Sequence, residues 1–288
     1  MKKILSLIVF VCLLYSSAFS SDWKNLANAT IEMSADAISN LENKKDKSAQ
    51  DVYSLTIIYN REGNLDKLQT MFNDNEKNMP NSPALRLLEG IILMREHKYE
   101  ESRDILKGVM TTHPDFYPAL VTLSYLNYLQ KDFAQTYAIA KQLIAKKTEL
   151  SRYHYVGSLL LAAGSKGIMA KNSLFNAIFA YFEVNGYFEE AQQLMPDSSE
   201  VLYATGSYYL VTPAIAGGDL DKAIGLLEKS RQLAPLNTQV YVRLAQAYRN
   251  RGDAVAFQQN IARASELDPQ DELLLDYISD EKKFLDIP

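Results

Sequence analysis

The sequence predicts an all-α fold: an α-α superhelix built from antiparallel helix pairs. Three observations carry this expectation. Pro80 and Pro114 stand 34 residues apart, and so do Pro235 and Pro269. Each proline closes a segment with the same order of small, aromatic and aliphatic residues. No strand-rich segment, long linker or low-complexity tract interrupts the chain. A recurrence near this length marks stacked helix–turn–helix units, none of which can bury its apolar face alone.

The elements follow in order. Residues 1–20 read as a signal peptide: Lys2 and Lys3 give a positive start, Ile4 to Leu14 is an apolar run, and Ala18-Phe19-Ser20 supplies small residues for cleavage after Ser20. The run is too short to anchor in a bilayer. Residues 21–48 are expected to form an N-terminal capping helix, and 49–271 about six repeat units. In 49–82 the register is marked by Tyr59, Gly63 and Pro80, in 83–116 by Gly90, Tyr99, Leu106 and Val109, and in 117–150 by Tyr125, Tyr128 and Phe133. The stretch 151–198 is irregular, with Val184, Phe188, Ala191 and Pro196 in register in its second helix. Unit 199–237 carries Leu202, Gly206, Tyr209, Ala223 and Leu227, and is lengthened by a loop insertion. Unit 238–271 has Tyr241, Leu244, Ala245, Tyr248, Ile261 and Ala264, and 272–288 is a C-terminal cap. A small residue such as Gly90 or Gly206 lets the paired helix approach closely, while proline cannot continue a helix and so fixes the turn between units.

This order of residues resembles the tetratricopeptide repeat, and most strongly over residues 199–271. The segment Tyr208–Ala223, with Pro213-Ala214-Ile215-Ala216-Gly217-Gly218-Asp219 at its centre, is similar to a stretch of secreted bacterial repeat proteins. These include the tetratricopeptide component associated with tripartite, substrate-binding-protein-dependent (TRAP-type) transporters. The resemblance implies an interaction fold, without cofactor or metal. In a tetratricopeptide superhelix the first helix of each unit lines the concave side, which here maps to Tyr53, Asn60, Arg61, Leu87, Ile91, Met94, Arg95, Val121, Tyr125 and Tyr128. An apolar, aromatic face of that kind marks a contact surface. The alternative is that some of these residues pack against neighbouring helices.

Composition narrows the function classes. The 288 residues carry 30 basic and 35 acidic side chains, a formal net charge of −5 that falls to −7 once Lys2 and Lys3 leave with the signal segment. Such acidity argues against nucleic acid and against attraction to an anionic membrane surface. Lys141, Lys146 and Lys147 read as surface lysines near a helix C-terminus. The single cysteine, Cys12, lies in the apolar run behind Ile8-Val9-Phe10-Val11, so a lipid anchor is not expected and the mature chain is expected to have no disulfide. These features point to a bacterial periplasm.

Chemistry is sparse. His97, His113 and His154 make no paired helical metal motif, and neither a G-x-S-x-G elbow nor a penicillin-binding S-x-x-K set is present. Gly164-Ser165-Lys166-Gly167 lacks the spacing of a phosphate loop and reads as a helix-ending turn. Glu100-Glu101 and Glu189-Glu190 are expected to open second helices, where the dipole favours negative charge. Pro213, Gly217, Gly218 and Asp219 mark a loop site, with Asp219 placed to cap the next helix. The expected function is a non-enzymatic periplasmic scaffold holding an extended segment of another envelope protein. The alternative is an accessory role in solute uptake, with a small, partly apolar ligand.

Overall fold

A computed structural model describes residues 22–170 and 174–279. Residues 1–21, with the expected signal segment and Cys12, and the end of the expected C-terminal cap lie outside the described residues. Within them the structure is all-helical, with no strand. The chain forms two compact units. The first comprises the chain up to Asn60, Leu65–Leu126 and Ile139–Ser158; the second comprises Arg61–Asn64, Asn127–Ala138 and the chain from Leu159 onward.

The helices are α1 (22–30), α2 (Ala35–Glu42), α3 (Ala49–Glu62), α4 (Leu65–Asn75), α5 (Pro83–Arg95), α6 (Tyr99–Thr112), α7 (Tyr117–Leu129) and α8 (Phe133–Ala145). The rest are α9 (Arg152–Ala170), α10 (Leu174–Leu194), α11 (Ser199–Val211), α12 (Leu220–Leu233), α13 (Thr238–Arg251), α14 (Ala254–Leu267) and α15 (Glu272–Ile278). The prolines act as stops. Pro114, Pro196, Pro235 and Pro269 each follow a helix end by two residues, in the connection to the next unit. Side-chain caps start the following helices: Ser198, Asn237 and Asp271 accept from Val201, Gln239 and Leu274 backbone N–H groups.

Small residues stand at the helix crossings. A Cβ added to Gly90 would lie 2.9 Å from Leu106 Cδ2, and one added to Gly206 would lie 2.9 Å from Leu227 Cγ. Both glycines are buried where α5 meets α6 and α11 meets α12. The paired helices are also stitched by serines: Ser102 Oγ donates to the Gly90 carbonyl at 2.7 Å, and Ser230 Oγ to the Ser199 carbonyl at 2.9 Å.

Three local expectations need correction. The stretch 21–48 holds two helices, because Ser34 takes an extended backbone and its side chain caps α2 from outside. Gly164–Gly167 do not end a helix, since α9 runs through them to Ala170. Gly164 is there for space: the Tyr128 ring comes within 3.3 Å of where its Cβ would be. Glu189 and Glu190 lie near the C-terminal end of α10, not at a helix start, whereas Glu100 and Glu101 do fall in the first turn of α6.

Candidate functional site

The first unit closes over much of the expected concave face. Tyr53 is completely buried, its ring 4.9 Å from Trp23 edge-on, 5.8 Å from Phe116 and 6.4 Å from His154 in a near-parallel stack. Leu87, Ile91 and Met94 are buried as well. For these four the expectation of a solvent-facing groove is corrected. Over Tyr53 the covering parts are α1 and the start of α9, which are tied together: Lys24 Nζ donates to the Thr148 carbonyl, and Asn28 Oδ1 accepts from the Arg152 N–H at 2.7 Å.

The remaining candidates are half-buried. Arg95 donates to Asn60 Oδ1 at 3.1 Å, Val121 faces Gly157 of α9, and Tyr125 is partly covered. In the second unit Arg61 pairs with Glu200 at 3.2 Å, and Tyr128 packs on Gly164 and edge-on against Phe133.

Sequence reasoning missed a polar cluster on the first helices of the last two pairs. Tyr203 and Ser207 on α11 meet Arg243 and Gln246 on α13. Arg243 is only 6% exposed, and its Nη1 donates to Gln246 Oε1 at 3.0 Å. Burial pushes the Tyr203 phenol up, while the Arg243 guanidinium beside it pulls in the opposite direction. Arg243 Nε is buried with no hydrogen-bond partner, while the Ser207 hydroxyl lies beside the Tyr203 phenol. Unfilled hydrogen-bonding groups of this kind are rare in native interiors and mark a place where something further can bind. The available signal was Arg243 and Gln246 inside the otherwise apolar run 240–247 of the helix Thr238–Arg251.

The inserted loop is a tightly folded projection. Pro213 leads a single 3-10 turn over Ala214–Ala216, and Gly217 takes φ 95°, a conformation that favours glycine. The Pro213 carbonyl accepts from Ala216 and Gly218 N–H at 2.8 and 3.0 Å, and Asp219 N–H returns to the Tyr209 carbonyl at 3.1 Å. Gly218 presses on the Thr212 backbone, where a Cβ would come within 2.7 Å of the carbonyl carbon. Asp219 Oδ1 accepts from Lys222 N–H at 2.9 Å and so caps α12. Pro213, Gly217 and Asp219 are exposed and Gly218 half-buried, with Ile215 almost wholly in solvent at the tip.

Beside the loop lies an aromatic strip from α10 and α11. Phe188 and Tyr208 rings are 5.0 Å apart, Tyr208 donates to Asn185 Oδ1 at 2.8 Å, and Lys222 lies 4.0 Å over the Tyr209 ring. Below it, Glu183 accepts from both Tyr137 and Tyr187 at 2.6 Å and pairs with Lys166 at 3.4 Å. Burial and then the bond to Glu183 hold the Tyr137 phenol well above its ordinary range. Among the described residues no cluster of three or more His, Cys, Asp or Glu could hold a metal ion.

Comparison with known proteins agrees with this architecture. Residues 214–276 match the tetratricopeptide-repeat family model. The matched stretch starts in the inserted loop and takes in α12 to α14 and most of α15. Two solved structures share the fold at low identity. One is a thermophilic tetratricopeptide-repeat protein of Thermus thermophilus, 18% identical with a TM-score of 0.55, over 68% of this chain and 97% of that one. The other is the APC/C Cut9–Hcn1 hetero-tetramer, 17% identical with a TM-score of 0.55, where 88% of this chain spans about half (48%) of the matched chain. No curated protein matches the chain in sequence.

Proposed function

We propose that this protein is a non-catalytic scaffold of the bacterial periplasm that holds an extended segment of another envelope protein. The observation that carries this reading is the cluster of Tyr203, Ser207, Arg243 and Gln246, with the buried Arg243 Nε left unfilled. An extended segment offers backbone carbonyls and N–H groups at regular intervals, which is what such a row can bind. The guanidinium adds a strong donor for a carbonyl or carboxylate. The periplasmic address rests on the character of residues 1–20. The accessory role in solute uptake finds no support in the family match or in the two structures.

The test places a photo-crosslinking residue at Ser207 in cells and identifies adducts by mass spectrometry. A discrete protein adduct that weakens on Arg243→Met supports the reading. No adduct, or one indifferent to Arg243, rejects it. Fractionation of the cells checks the address.

A further inference from the structure

One edge of the second unit carries both a knob and a cleft. The knob is the 213–218 loop, fastened at both ends, with Ile215 at its tip 99% exposed. The cleft lies where the end of α15 meets the α13–α14 turn, and measures about 580 Å3. Its walls include Arg249, Phe257, Ile261, Tyr277 and Ile278. Phe257 and Tyr277 stand edge-on at 6.0 Å, and Arg249 lies over the Tyr277 ring with Nη1 donating to the phenol oxygen at 3.3 Å. Clefts of roughly 300–1,000 Å3 enclose compact apolar groups, so this one has room for an isoleucine side chain between two alanines. Knob and cleft are neighbours along the edge: Arg251 at the end of α13 pairs with Asp221 in the first turn of α12, directly after the loop.

Large apolar side chains are exposed around both features. Beside the knob, Tyr181 Oη is 4.0 Å from where a Gly217 Cβ would stand, and its ring is edge-on to Phe182 at 5.6 Å. Phe182 is 73% exposed. Beside the cleft, Val255 and Ile278 are 69 and 58% exposed, and Leu275 is about half so. With Ile215 these side chains present roughly 700 Å2 to solvent, close to the 800 Å2 or so that each partner gives to a standard protein interface. Scattered apolar residues need no cover, but a surface of this extent along one edge does.

Charge names the cover. Behind the knob stand two exposed acids, Asp219 and Asp221, while Lys222 is folded onto the Tyr209 ring. Beside the cleft stand two arginines, Arg249 and Arg251. The acids nearest the cleft are engaged: Asp253 caps α14 and Asp276 pairs with Lys131 at 2.7 Å. The knob is therefore flanked by negative charge and the cleft by positive charge, so the partner that complements each is the other. Ile215 is almost wholly in solvent and does not fill the cleft of its own chain. A two-fold axis pairs surface i with j and j with i, so it seats both knobs in both clefts at once. We propose that a second copy of this chain covers the edge, forming a two-fold dimer in which each 213–218 tip enters the α13–α15 cleft of the other copy. Asp219 and Asp221 of one copy then approach Arg249 and Arg251 of the other, which fixes the register of the pair. The contact is independent of the peptide-binding proposal above.

The test is sedimentation velocity of the full chain at concentrations up to about 100 μM, where a dimer is expected. Ile215→Asp removes the knob and Ile278→Asp spoils the cleft, with Leu233→Asp as a control at the opposite end of α12. All three replace exposed side chains, so helical signal and melt should be kept. Each of the first two should weaken the dimer by about ten-fold or more, and the control should not. Mixing the Ile215→Asp and Ile278→Asp chains should restore part of the association, because the mixed pair keeps one intact tip facing one intact cleft. A monomer at every concentration overturns the proposal. So does a dimer indifferent to both substitutions, or one weakened equally at 233, since either places the interface elsewhere. A mixture no stronger than the separate variants would mean that tips meet tips, and overturns it too.

Discussion

Acidification should weaken the first unit through His154. The residue is 7% exposed; its Nδ1 lies 2.6 Å from Ser151 Oγ, and its ring sits between Tyr53 and Tyr153. Burial lowers its pKa from 6.5 to about 4, and no carboxylate is close enough to oppose that. The unfolded chain therefore binds more protons than the folded one between these values. Stability is complete above about pH 7 and is lost as pH falls through 6.5 toward 4. Two and a half units correspond to about 3 kcal/mol in full, of which about 2 kcal/mol is gone by pH 5. Trp23 stands two ring contacts from His154 and is the only tryptophan, so urea unfolding followed by its fluorescence reports on this unit. His154→Gln removes the titrating group, and carboxylates elsewhere cancel in the difference between the two proteins. The wild-type minus variant stability should fall by about 2 kcal/mol from pH 7.5 to pH 5. A flat difference would refute the assignment.

Other substitutions separate the causes proposed above. Tyr53→Phe removes a buried hydroxyl that has no partner, and should leave the unfolding midpoint unchanged or raise it by up to about 1 kcal/mol in equivalent stability, read by the same fluorescence. Gly206→Leu drives atoms into Leu227 and the Ala223 carbonyl at the α11–α12 crossing; a loss of about 1–3 kcal/mol or more is expected, confined by hydrogen exchange to the second unit. Gly218→Ala places a methyl group against the Thr212 backbone, which cannot yield as a side chain would. It should open the loop and raise exchange at Gly217 and Asp219 amides, costing about 1–3 kcal/mol.

What the sequence revealed and what it hid divide along the range of the interactions. The helix-pair class followed from Pro114, Pro235 and Pro269 and from Gly90 and Gly206, because a stop and a close crossing are each written in one residue. The fate of Tyr53 was not, since Trp23, Phe116 and His154 reach it from distant parts of the chain. Gly164 shows the same limit. Read locally it is a stop, but its lack of a side chain answers to the Tyr128 ring, and the helix continues. Arg243 was visible as a charge among apolar neighbours, yet only its contact with Tyr203 shows that it turns inward.

The fastening of the 213–218 loop bears on how this chain can diverge. Both ends are pinned, by Asp219 N–H on the Tyr209 carbonyl and by Gly218 against Thr212, while the three residues between are in solvent. Ala214, Ile215 and Ala216 thus form an interchangeable cassette: they can be rewritten without disturbing the helices on either side. A lineage could swap the tip's affinity for its surroundings in three codons, and keep the array it rides on.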